Sequence, residues 1–129
     1  MNKTVLVVED DIRNQRLFRD FLEKFAFTVY GAGNGKDAVE MAQTYLPDII
    51  LMDIQMPIMN GMDATRLIKA NPATCKIPIL TLTSYAMKDD EIKIRACGCD
   101  DFLTKPVDLH RLIQKIKVFT EKTAEATIR

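Results

Sequence analysis

Several protein classes are excluded by what this chain has little of. Its 129 residues include only three cysteines and one histidine. Cys75, Cys97 and Cys99 are too few, and odd in number, for a disulfide scaffold, and Cys97-Gly98-Cys99 lacks the two-residue spacer of a redox pair. His110 completes no zinc-ligand spacing with them. The cysteines read as small, half-buried residues of a protein kept in a reducing compartment. Neither sign of charge is in excess, with 18 basic residues against 18 acidic ones. That argues against a nucleic-acid binder or a membrane-surface protein working through bulk charge. Long apolar runs are missing as well. Val5 to Val8 stops at Glu9, far short of a secretory h-region, and nothing approaches the ~18 uncharged residues of a membrane span. Five glycines rule out a collagen-like chain. A cytoplasmic protein with one domain is expected, residues 1–122 forming it and residues 123–129 a short polar tail.

What remains is an alternation of two periodicities. Val5–Val8, Ile49–Met52 and Ile79–Leu82 are continuously apolar, as strands covered on both faces should be. Phe102–Thr104 is a shorter fourth run, and Phe27–Tyr30 alternates like a strand near an edge. Helical stripes fill the intervals: Leu17, Phe18, Phe21, Leu22 and Phe25; then Ala38, Val39, Ala42, Tyr45 and Leu46, ended by Pro47; then Leu109, Leu112, Ile113, Ile116 and Phe119. Ala64, Leu67 and Ile68 mark a shorter helix stopped at Asn71-Pro72. Residues 87–97 form a highly charged helix with a poor stripe of Ile92, Ile94 and Ala96. Five βα units imply an α/β domain, a doubly wound five-stranded parallel sheet with helices on both faces.

Parallel sheets put their chemistry beyond the carboxyl ends of the strands. There the first run is followed by Glu9, Asp10 and Asp11, the Ile49 run by Asp53, the Ile79 run by Thr83 and Ser84, and the Phe102 run by Lys105 and Pro106. Clustered carboxylates repel one another and raise their own pKa values unless a cation relieves them. Oxygen ligands without histidine or cysteine nearby point to a hard cation, best Mg2+, which keeps positions for water and phosphate oxygens. A carboxylate so placed is suited to attack phosphorus, while an ammonium and a hydroxyl hold the phosphoryl oxygens.

Val7-Val8-Glu9-Asp10, Leu51-Met52-Asp53-Ile54-Gln55-Met56-Pro57 with Asn60-Gly61, Leu82-Thr83-Ser84 and Lys105-Pro106 stand in the order and at the intervals of one known family. Over about residues 4–120 the chain resembles the receiver domains of two-component response regulators, with their (βα)5 flavodoxin-like fold. It looks most like the single-domain DivK type or the receivers of hybrid histidine kinases. A chain running from Met1 to near a fifth helix is expected to be the stand-alone kind.

The resemblance implies roles. Asp53 would be the phosphoacceptor, served by a histidine kinase or a histidine phosphotransfer protein. Mg2+ would be held by Asp10, Asp53 and the main-chain carbonyl of Gln55, with Glu9 acting mainly through water. Thr83 and Lys105 would hold the phosphoryl group. Thr83 and Phe102 would form the switch, and Lys105-Pro106 would be a cis peptide. A downstream protein effector would read the face of the fourth helix, fifth strand and fifth helix. The protein would modify itself and turn over no external substrate. Two departures bear on this. Glu9 replaces the more frequent aspartate, leaving direct or water-mediated metal contact open, and Phe102 lacks the hydroxyl of a switch tyrosine. Gln55 and Tyr85, at the variable positions that tune attack of water, imply slow self-dephosphorylation.

Plainer readings stand beside these. Asp11 suits an N-cap better than a ligand, Thr83 alone could finish a strand, and Phe102 reads equally as core. Gly61 suggests a loop needing positive φ, Gly98 a helix C-terminus, and Asn34-Gly35 a helix start. Met52, Met56, Met59 and Met62 read as packing. Lys88, Glu91, Arg95, Arg111 and Lys115 form a solvated face, and His110 has no catalytic partner. Rival functions are an aspartyl-phosphate hydrolase, disfavoured because Gln55 stands where a second acid is needed, and a flavin carrier, disfavoured because Glu9-Asp10-Asp11 would repel phosphate. A receiver-shaped adaptor acting without phosphate stays open.

Overall fold

The computed structural model describes residues 3–84 and 88–128. Strands and helices alternate strictly: β1 (Thr4–Val8), α1 (Ile12–Glu23), β2 (Thr28–Ala32), α2 (Gly35–Tyr45), β3 (Ile49–Asp53), α3 (Gly61–Ala70), β4 (Ile79–Thr83), α4 (Lys88–Ala96), β5 (Asp101–Thr104) and α5 (Leu109–Ile128). All strand pairings are parallel, in the order β2-β1-β3-β4-β5. This is the doubly wound, flavodoxin-like sheet that the alternation implies. Met87, placed in the fourth helix by its sequence, and Tyr85 lie outside the described residues. α5 carries its backbone through most of the segment that reads as a polar tail.

The apolar runs explain why β1, β3 and β4 are central. Successive residues of a strand point to opposite faces, and both faces are covered. Val5, Val7, Ile49, Leu51, Leu80 and Leu82 join Phe18 and Leu22 of α1 and Leu112, Ile113 and Ile116 of α5 in one core layer. Leu6, Val8, Ile50, Met52 and Ile79 join Ala38 and Ala42 of α2 and Ala64 and Ile68 of α3 in the other. Each fully buried Leu or Ile contributes roughly 1.5–3 kcal/mol, which outweighs any local propensity.

Helix borders depart from the stripes in instructive ways. Phe25, counted with the first stripe, lies beyond α1 and is 42% exposed. Leu17 and Leu67 lie within α1 and α3 but face solvent. α2 ends at Tyr45 because Leu46 takes a left-handed φ of 47°, and the Tyr45 ring stacks on Tyr30 with 4.3 Å between centroids. The second strand starts at Thr28, one residue later than its pattern suggests, and buried Phe27 plugs the turn before it. Asp11, Asn34 and Asn60 cap the N-termini of α1, α2 and α3. Gly98, at φ 100°, follows the last turn of α4. No helix among the described residues is long and apolar enough to cross a membrane.

Candidate functional site

Sheet register assembles the site. Val8 pairs with Met52, so the next residues on each strand, Glu9 and Asp53, emerge side by side. Asp53 pairs with Leu82, placing Thr83 one residue above it, and Thr83 pairs with Thr104, which leads to Lys105. The Lys105 N–H donates to the Thr83 carbonyl at 2.7 Å, and the Lys105–Pro106 peptide is cis. Lys105 Nζ then lies 3.0 Å from Asp53 Oδ1 and 4.0 Å from Glu9 Oε2.

Three acids converge there. One carboxylate oxygen from each of Glu9, Asp10 and Asp53 lies within 4.8 Å of the others. Glu9 and Asp53 are each 4% exposed, whereas Asp10 faces solvent. Burial, then a hydrogen bond and repulsion from the Asp53 carboxylate, push Glu9 up to about 7, although Lys105 and the Asp11 N–H pull the other way. Such a cluster favours either a proton or a cation. Asp11 is no part of it: its side chain accepts the Arg13 N–H at 2.9 Å as the cap of α1.

Thr83 is buried at the end of β4. Phe102 is half-buried on β5, with the Arg95 guanidinium 4.9 Å above its ring. Gln55 is exposed on the β3–α3 loop, two residues beyond Asp53. Asp101, beside Phe102, is raised by burial but lowered on balance, mainly by its hydrogen bond to Lys115.

Three supports of the site are not evident in the sequence. Gln15 Nε2 donates to the carbonyls of Glu9 and Ala32, both at 3.2 Å, fixing the loop that carries the first two acids. Gly31 makes room for that amide, since a Cβ there would overlap Gln15 Oε1. A glutamine in mid-helix gives no signal of this. Gly61 is not the positive-φ residue its loop suggests. Its N–H donates to Ile54 O at 2.9 Å, and a Cβ would overlap the Asp53 carbonyl oxygen, so close approach is what demands glycine. The left-handed residue is instead Ile58, at φ 70° and 79% exposed, inside a tight turn closed by Met59 N–H to Pro57 O at 2.7 Å.

Known proteins resemble the chain in sequence and in fold. Residues 5–117 match the model of the response regulator receiver domain. The polar-differentiation response regulator DivK of Brucella anthropi is 39% identical over 119 residues, covering 92% of this chain and 97% of DivK. The receiver domain of sensor histidine kinase PA1611 from Pseudomonas aeruginosa, solved with a magnesium ion coordinated in its active-site cleft, superposes with a TM-score of 0.87 at 30% identity, covering 94% of this chain and 99% of that one. A response regulator structure from Chloroflexus aurantiacus gives 0.88 at 26% identity, with 94% and 99% covered.

Proposed function

This chain belongs to the response regulator receiver family, a signalling module of two-component systems, and from that premise we propose that Asp53 is its phosphoacceptor. The observation that carries the reading is the 3.0 Å approach of Lys105 Nζ to an Asp53 carboxylate that Glu9 and Asp10 also crowd. An Asp53 oxygen attacks the phosphorus of a phosphohistidine. The P–N bond breaks, the imidazole leaves with a proton, and an acyl phosphate remains on Asp53. Lys105 offsets charge on one phosphoryl oxygen and the Thr83 hydroxyl donates to another.

The donor set fits magnesium: carboxylates, no nitrogen or sulfur ligand among them, and a buried Glu9 whose hold on its proton is raised to about 7 even with the Lys105 ammonium 4.0 Å away. Asp10, Asp53 and the main-chain carbonyl of Gln55 are the ligands we assign, with Glu9 acting through water. Bound there, the ion would offset negative charge on the transferring group. The module catalyses its own modification, and slow hydrolysis follows from Gln55, which has no carboxylate to orient water.

The partners are a histidine kinase or histidine phosphotransfer protein as donor and a protein effector downstream, in the cytoplasm. An apolar groove lined by Leu17, Phe18, Pro106, Val107 and Leu109 opens beside Glu9 and Lys105 and offers the donor a seat. The effector reads the α4–β5–α5 face, where Arg95, Phe102 and Lys115 lie. Phosphate shifts that face only through its better interaction with Thr83 and Lys105 in one conformation, Phe102 moving with Thr83. Incubation with acetyl phosphate and magnesium, followed by intact mass, tests the chemistry. One phosphoryl adduct is expected on the wild type and none on Asp53→Asn; equal labelling of both proteins overturns the assignment.

A further inference from the structure

Cys97 and Cys99 meet at the junction of α4 and β5, and the function proposed above makes no use of them. Cys97 is 4% exposed and Cys99 is half-buried. Their sulfurs converge on one acceptor, with Cys97 Sγ 2.8 Å and Cys99 Sγ 3.4 Å from the Ile94 carbonyl oxygen. With both sulfurs on one oxygen, either thiol is placed to donate to the other once that one is ionised. Side chains two residues apart meet this way because Gly98 between them sits at φ 100°, a backbone conformation that glycine adopts without steric cost. Beside Cys99 lies the Thr81 hydroxyl, 1% exposed and with no hydrogen-bond partner among the described residues, and it favours a thiolate there. The sequence lacks the two-residue spacer of a redox pair, but this turn brings the thiols together without one.

We propose that Cys97 and Cys99 form an intramolecular disulfide on reaction with hydrogen peroxide, which makes the α4–β5 junction a reversible modification site. Protonated, both thiols donate to Ile94 O. When the pair loses one proton, the hydrogen bond from Cys99, opposed by burial and assisted by Arg66, brings Cys97 down to about 6, and the same bond holds Cys99 protonated. The Cys97 thiolate attacks one peroxide oxygen. The O–O bond breaks, and the leaving hydroxide takes up a proton as water, leaving a sulfenic acid. The Cys99 sulfur then attacks Cys97 Sγ, the S–O bond breaks, and the hydroxyl departs with the Cys99 proton as a second water. The two thiols give up two electrons and the peroxide accepts them. Cys75 takes no part, since its sulfur faces the Pro72 carbonyl after α3.

The test exposes the full chain to hydrogen peroxide, alkylates it, and reads the tryptic peptide from Ala96 to Arg111, which contains no methionine. The expected peptide is lighter by two hydrogens, about 2 Da, and takes no alkyl label. Dithiothreitol restores label on both cysteines, and Cys75 labels throughout. Cys97→Ser abolishes the two-hydrogen loss. The proposal is overturned if both cysteines still alkylate after peroxide, if oxygen adds to one sulfur with no S–S bond, or if the disulfide joins two chains.

Discussion

A carboxyl group that is 4% exposed beside a second carboxylate opposes folding whenever it is ionised. Glu9 stands at about 7 in the folded chain against an ordinary 4.5. Between those values the native state holds more protons than the unfolded state, so stability falls as pH rises and levels off above about pH 7. At about 1.36 kcal/mol per pKa unit, the full loss is roughly 3 kcal/mol. Glu9→Gln keeps the size and an acceptor for the Asp11 N–H, 3.3 Å away, but cannot ionise. In EDTA at about pH 8 the variant is expected to be more stable than the wild type by roughly 2–3 kcal/mol. With urea slopes of about 1–3 kcal/mol/M, that moves the midpoint by on the order of 1 M. At about pH 5 the two curves should nearly coincide. Saturating magnesium stabilises the wild type by mass action and the variant less, narrowing the gap. A variant no more stable than the wild type in EDTA at the higher pH, or a wild type that gains stability across this window, refutes the reasoning.

Gly61→Ala should destabilise by about 1–3 kcal/mol or more in urea melts, because the new Cβ meets the Asp53 carbonyl oxygen and the Ile54 backbone rather than a side chain able to move; an unchanged midpoint would show that the loop yields. Lys105→Met removes the cation that holds Glu9 down, so the pH at which stability levels off should move above that of the wild type, as followed by urea midpoints at a series of pH values. Asp100→Ala strips the acceptor from the Ile79 N–H, 2.8 Å away at the start of β4, and from Lys69 Nζ, also at 2.8 Å. The cost should be about 1–3 kcal/mol by the same melts.

The central strands were legible because a run such as Ile49–Met52, apolar at every position, is stable only with both faces covered. Edges were less so. Phe25 and Leu17 fit the α1 stripe by spacing, yet a stripe cannot say where a helix stops or which flank its neighbours reach. The meeting of Glu9, Asp10, Asp53 and Lys105 was foreseeable for a topological reason: parallel strands deliver their next residues to one edge of the sheet. The reasons for Gly61, Ile58 and Gln15 were hidden, because each answers to how closely two backbone segments approach, which the whole fold sets.

These hidden residues bear on the chemistry. Carboxylates at a strand edge repel one another and would spread apart if their loops were free. Besides the Lys105 ammonium, contacts that carry no charge hold them: the Gln15 amide on Glu9 O, Gly61 against the Asp53 carbonyl, and the register of Val8 with Met52. The penalty of burial, with repulsion added to it, therefore cannot be relaxed by movement and appears as a displaced proton affinity, at Glu9, the more buried of the two acids before α1. A rigid scaffold that keeps its acids close leaves them responsive to a cation or a proton, and the penalty on folding and the capacity to bind are two readings of one geometry. A substitution that loosens the scaffold without touching an acid should then lower the Glu9 pKa and weaken magnesium binding together. Gln15→Ala is the clearest case, since it removes both side-chain bonds from α1 to the loop and leaves every carboxylate in the sequence. Titration of the Glu9 carboxyl by carbon NMR, with a magnesium titration beside it, should show both effects; a weakened ion affinity with Glu9 still near 7 would separate them and break the link.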